Sequence, residues 1–228
     1  MIEVTRTGDV YVLTMAADEN RFNPTMLEAF DASLTEVEQS EGPAAVVLTG
    51  QGKFFSNGLD LEWMMAHVEE GGPAEVANGL QALYRRLVTF PTATIAAVNG
   101  HAFAGGGMLA LACDQRVMRT DRGFFCLPEV DINIPFTNGM SKLVQAKLTP
   151  AAAYEVMLTG RRYSAEEALA AGFVDVAVPE DEVLPVAIER AQALAGKARS
   201  TVQTIKERMF GEVADALGET VGGLEGTT

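Results

Sequence analysis

The sequence predicts an α/β core with a helical C-terminal part. Strand-like and helix-like patterns alternate over the first two thirds of the chain. The short apolar run 44–49 has the character of a strand buried on both faces. From about residue 137 helical patterns dominate, and only 173–178 looks like a strand.

Taken in order, residues 2–15 alternate about Gly8-Asp9 and predict a β-hairpin. Asn23-Pro24 opens a helix, with Asn as N-cap and Pro at the first helical position. Met26, Leu27, Phe30, Leu34 and Val37 then recur at helical spacing until Gly42-Pro43 stops them. A glycine- and polar-rich turn from Gly50 leads into the apolar, acidic segment 59–65. Gly71-Gly72-Pro73 predicts a mobile loop, followed by a helix to about Phe90 that Pro91 ends. Residues 116–119 and 123–127 read as strands about the turn at Thr120-Asp121-Arg122. Helices are expected at 140–147, 150–159, 180–196 and 200–217, with a further start at the capping box Ser164-x-x-Glu167. The tail, 218–228, carries little apolar content and is expected to fray.

Composition narrows the function classes. The chain is 48% hydrophobic and 21% charged over 228 residues, with a formal net charge of −14. That charge argues against nucleic acid and anionic membranes as partners. An anionic ligand would need backbone donors, helix N-termini or a few local cations. No apolar run reaches membrane-span length, and the N-terminus has no signal-peptide pattern. A cytoplasmic location is the expectation. Cys113 and Cys126 are too few for a disulfide framework and sit in apolar settings, as buried thiols of a reducing compartment. His67 and His101 are the two histidines, and no Cys/His cluster has metal-ligand spacing.

The stretch 95–109 reads as a strand, a turn at Asn99-Gly100, and a helix start at Gly105-Gly106-Gly107. Three glycines in a row cost backbone entropy. Two readings stand level here. The glycines bring unpaired N–H groups close to an anionic ligand, or they only let a strand and a helix pack tightly.

Three stretches together resemble the enoyl-CoA hydratase/isomerase (crotonase) family: 54–61 (FFSNGLDL), 97–109 with Cys113-Asp114-Gln115-Arg116 just beyond, and 127–134 (LPEVDINI). A fourth, 159–175, is similar to the segment leading into the family's terminal helices. The resemblance implies a crotonase-like spiral of ββα units, over 1–165, and a helical trimerisation region, over 166–228. It implies a homotrimer or a dimer of trimers, and an acyl-CoA substrate with coenzyme A as part of it rather than as a separate cofactor. It implies that the backbone N–H groups of Leu59 and Gly106 bind the thioester oxygen. By the same resemblance Arg21 and Phe22 lie near the pantetheine and nucleotide, Ser56 offers backbone groups to the adenine, and Lys206 faces the nucleotide phosphates of a neighbouring subunit. Gly58, Asp60 and Gly105 fall among the CoA-contacting positions, although Asp60 by itself reads as a helix N-terminal acid.

The residues also select among reactions. The family's hydratases hold water with two glutamates. Here the first position is Leu109 and the second is Glu129. A single carboxylate beside two oxyanion donors suits proton removal at C2 of a 3-enoyl thioester and return at C4. The sequence therefore predicts a Δ3–Δ2 enoyl-CoA isomerase, with Glu129 in an apolar pocket near Leu109, Phe136 and Phe103 that raises its pKa. The alternatives are a hydratase or another crotonase-type acyl-CoA enzyme and, from a different class, a non-catalytic acyl-CoA-binding oligomer.

Overall fold

The structure, a computed structural model, describes residues 2–222. The predicted hairpin forms as strands β1 (Ile2–Thr7) and β2 (Val10–Met15), paired antiparallel. Helix α1 (Pro24–Gln39) starts where Asn23 accepts a hydrogen bond from the Met26 N–H with Pro24 at the first turn, and it carries the chain over to β3 (Ala45–Gly50), parallel to β2. Next come β4 (Phe54–Ser56), α2 (Leu61–Ala66), a 3₁₀ turn (Val68–Glu70) and α3 (Gly72–Val88).

The following stretch repeats the pattern: β5 (Ala93–Val98), β6 (His101–Phe103), α4 (Gly105–Ala112). A third pair follows, β7 (Gln115–Arg119) and β8 (Phe125–Cys126). The first strand of each pair joins a six-stranded sheet ordered β1-β2-β3-β5-β7-β9, and the second joins a three-stranded sheet ordered β4-β6-β8. Each ββα unit thus advances one strand in both sheets, and beyond β2 every pairing is parallel. This is the spiral of ββα units. The strands of the large sheet read as continuous apolar runs because both faces are covered: Val46 and Leu48 face one core cluster, and Ala45 and Val47 face the other.

The C-terminal helices are α5 (Asn138–Lys147), α6 (Pro150–Thr159), α7 (Ala165–Ala170), α8 (Glu180–Ala195) and α9 (Arg199–Leu217), with β9 (Val176–Val178) between α7 and α8. Residues Ser164 and Glu167 form the predicted capping box. Helix α8 covers the outer face of the large sheet through Val183, Ala187 and Ala191, and α9 packs on α3 and α5.

Two local expectations are corrected. Gly71-Gly72-Pro73 is a helix start, not a mobile loop: Gly71 at φ 84° turns the chain and Pro73 fits the first turn of α3. The tail is tied down as far as it is described. Gln81 donates to the Glu219 carbonyl (3.1 Å), the Asn78 amide exchanges two hydrogen bonds with the Val221 backbone (both 3.0 Å), and Asn138 reaches the Glu219 carboxylate. Low apolar content did not predict this, because polar side chains on α3 and α5 hold the backbone. The rest of that expectation, 223–228, lies outside the described residues.

Candidate active site

The spiral brings the turn after β4 beside the start of α4. The backbone bridge between Phe22 and Leu59 fixes the first segment: the Phe22 N–H donates to the Gly58 carbonyl (2.8 Å) and the Asp60 N–H donates to the Phe22 carbonyl (2.9 Å). Buried Asn20 adds to it, donating through Nδ2 to the Phe54 carbonyl (2.9 Å) and the Phe55 carbonyl (3.2 Å). Gly106 fixes the second segment. A Cβ there would stand 2.3 Å from the Ser56 carbonyl oxygen, so only glycine permits this approach. Ala104, just before the triplet, holds φ 49° and ψ −121°, a conformation that glycine adopts far more readily. Strain of this kind concentrates at functional sites.

Among the described residues, the N–H groups of Leu59 and Gly106 have no protein hydrogen-bond acceptor. That of Gly106 belongs to the first turn of α4, where intrahelical partners are lacking. At Leu59, the neighbouring N–H of Asp60 is the one that the Phe22 bridge uses.

These two turns border a groove of about 660 Å³ with a largely apolar wall, and among the described residues its one carboxylate is Glu129. The Leu127-Pro128 break after β8 delivers that residue. The turn is closed by the N–H groups of Asp131 and Ile132 on the Pro128 carbonyl, and by that of Ile134 on the Glu129 carbonyl. Glu129 is 6% exposed, and its Oε2 is buried without a hydrogen-bond partner. Burial pushes its carboxyl up to about 7, and a backbone hydrogen bond opposes the shift only in part. A buried, unpaired acceptor that titrates near neutrality is poised to take up a proton.

The other predicted positions divide. Arg21, Leu59 and Gly105 line the groove with Glu129, and Arg21 is ion-paired to Glu19 at 2.5 Å. Gly58 is buried behind it, its N–H received by Ser56 Oγ (3.2 Å). Phe22 and Ser56 are 0% exposed, so neither presents a group to a nucleotide. Phe22 acts through its backbone bridge, and Ser56 Oγ donates to the Asn20 carbonyl (2.7 Å). Asp60 caps α2, accepting from the Trp63 N–H (3.1 Å) and from Asn23 Nδ2 (3.0 Å). Lys206 is not a free cation: its ammonium is buried against Asp114 Oδ2 (2.6 Å) and donates to the Thr92 carbonyl (2.8 Å). Leu109 lies in the core rather than in the groove wall, and Met108 takes that place beside Phe103 and Phe136.

Sequence reasoning missed several participants. Gln81 is buried, accepts from Thr137 Oγ1 (2.6 Å), and ties the tail so that Thr220, Val221 and Gly222 close one side of the groove. Nothing in a polar residue on an apolar helix face distinguishes this role before the partners are known. The described residues contain no group of three or more His, Cys, Asp or Glu arranged to hold a metal ion. No described helix is long and apolar enough to cross a membrane.

The family model for enoyl-CoA hydratase/isomerase matches residues 5–223. The chain belongs to this family. Among its relatives, enoyl-CoA delta isomerase 2, peroxisomal, of Arabidopsis thaliana is 34% identical over 96% of this chain and 95% of its own. Carnitinyl-CoA dehydratase of Salmonella enteritidis is 35% identical over 90% of this chain and 78% of its own. Among solved structures, an enoyl-CoA isomerase of Mycobacterium tuberculosis superposes with a TM-score of 0.85 at 26% identity, covering 95% of this chain and 93% of that one. The family thus spans isomerases and dehydratases on one scaffold, and the groove must say which chemistry this member performs.

Proposed function

We propose that the chain is a Δ3–Δ2 enoyl-CoA isomerase acting on acyl-CoA thioesters of fatty-acid breakdown. The observation that carries this is the one groove carboxylate among the described residues, Glu129, with Oε2 unpaired and its pKa raised to about 7, in a groove that Leu59 and Gly105 also line, the N–H groups of Leu59 and Gly106 lacking a protein acceptor. The thioester oxygen of a 3-enoyl-CoA accepts from both N–H groups. Ionised Glu129 removes a proton from C2, and the electron pair moves onto the thioester oxygen as a dienolate. Donors aimed at that oxygen stabilise it. Protonated Glu129 returns the proton at C4, and the double bond comes to rest between C2 and C3. No cofactor enters this cycle, since coenzyme A arrives as part of the substrate.

Hydration is the weaker reading. It needs a second acid to hold water, and among the described residues no other carboxylate lines the groove. The test is the Glu129→Gln variant on 3-enoyl-CoA, with loss of about 10²–10⁴ in kcat expected, beside the wild type on 2-enoyl-CoA in water. Faster formation of 3-hydroxyacyl-CoA than of isomer overturns the assignment, as does thioester binding with no turnover.

Self-association as a homotrimer or a dimer of trimers completes the proposal, with 1–165 as the catalytic spiral and 166–228 as the oligomerisation region. Exposed Leu169, Ile205 and Met209 supply apolar surface on that region, beside Tyr154 and Leu158 on α6. Light scattering reads the assembly directly, and a monomer at micromolar concentration overturns it. A cytoplasmic location accords with the two buried free thiols.

A further inference from the structure

We infer that Tyr84 is a positioning residue for the oxyanion hole, fixing the peptide unit whose N–H is the Gly106 donor. This rests on the reading of Leu59 and Gly106 as the donors that bind the thioester oxygen. The Tyr84 hydroxyl donates to the Gly105 carbonyl at 2.7 Å. In a planar trans peptide, a carbonyl and the following N–H point in opposite directions. A bond that holds the Gly105 oxygen toward α3 therefore holds the Gly106 N–H away from it, toward the substrate. The other donor is built the same way. Its peptide carbonyl, on Gly58, is held by the Phe22 N–H at 2.8 Å, which turns the Leu59 N–H outward. One anchor is main chain and the other is a side chain, so one of them can be removed by substitution.

The surroundings fit this purpose. Tyr84 shares a helix face with Leu80 and Leu87 and is fully buried, a place where phenylalanine would avoid the cost of burying a hydroxyl. A Cβ on Gly105 would meet Leu80 Cδ2 at 3.0 Å and the Tyr84 hydroxyl at 3.1 Å, so residue 105 lacks a side chain where the hydroxyl closes in. Burial, together with the negative charge of Glu129, drives the phenol well above its ordinary range. The hydroxyl therefore stays protonated and donates at any working pH. A hydrogen bond accepted by the carbonyl also polarises the amide and strengthens its N–H as a donor.

The test compares wild type with Tyr84→Phe, which removes one oxygen and keeps the ring. Two readouts are needed: steady-state kinetics on 3-enoyl-CoA, and the absorption spectrum of a bound arylacryloyl-CoA thioester, which moves to longer wavelength as its carbonyl is polarised. The expected result is a fall in kcat of about tenfold with KM changed less than about twofold, and a smaller red shift of the bound chromophore. A variant with wild-type kcat and an undiminished red shift overturns the role of Tyr84. A wild type that binds the probe without any red shift overturns the oxyanion-hole reading itself, and this inference with it. Where Tyr84→Phe does not fold, 3-fluorotyrosine at position 84 keeps the fit and sharpens the donor. An enlarged red shift then supports the inference, and an unchanged one overturns it.

Discussion

Replacing Glu129 with glutamine removes a negative charge from a buried position in the groove wall, and the consequence for stability can be worked out from the site. The carboxyl titrates at about 7 in the folded chain, against about 4.5 when solvated. Below the lower value both states are protonated and no penalty exists. Between the two, the folded chain keeps a proton that the unfolded chain has released, so stability falls as pH rises. Above about 7 the folded chain carries the buried charge in full, at a cost of roughly 3 kcal/mol. Glu129→Gln therefore matches wild type near pH 4.5 and becomes the more stable protein by pH 8, by roughly 6–12 °C in Tm. Thermal unfolding of both proteins across that pH range, at one protein concentration so that assembly contributes equally, is the assay. A stability difference that stays flat with pH would refute the claim that Glu129 is held ionised against its surroundings. In the proposed mechanism the catalytic profile runs the opposite way: kcat/KM on 3-enoyl-CoA rises with pH through about 7, because Glu129 acts as a base only when ionised.

Three further outcomes follow from the geometry. Gly106→Ala forces a methyl group to 2.3 Å from the Ser56 carbonyl; the donor peptide must shift, and kcat falls by about 10²–10³, so a variant within threefold of wild type removes Gly106 from the hole. Lys206→Met leaves Asp114 without its buried partner and costs about 3 kcal/mol in urea unfolding, while KM for the thioester stays put; a raised KM at unchanged stability restores Lys206 as a ligand contact. Gln81→Leu breaks the bonds to Thr137 and to the Glu219 carbonyl, so amide hydrogen exchange at 219–222 quickens by about tenfold, and unchanged protection shows that Asn78 and Asn138 suffice.

Much of the architecture was legible because its signals are local. Asn23-Pro24 specifies a helix start through one cap and one fixed φ, and Ser164 with Glu167 does so through a reciprocal pair. The two-sheet spiral was not legible from pattern alone. Strands 101–103 and 125–126 are too short to show a period, and their assignment to a separate sheet depends on neighbours far along the chain. Gly71-Gly72-Pro73 misled because the same residues that break a helix also begin one. At the site, Glu129 stood out through the family motif and the loss of an acid at Leu109. Its unpaired Oε2 is a property of the assembled wall. Lys206 looked like surface charge because sequence cannot show that Asp114 waits for it across the core.

The donors of the proposed oxyanion hole are main-chain atoms, which sets them apart from a catalytic side chain. A catalytic side chain can be lost in one codon change, whereas the N–H of Leu59 survives almost any replacement of the leucine. The walls around it, Met108, Ile132, Phe136 and the 220–222 strap, are free to vary in size and so to refit the groove to different acyl groups. What such a hole requires is the path of two turns. On the proposed reading the course of the backbone sets the chemistry at the thioester oxygen, and the side chains of the wall set which acyl group reaches it.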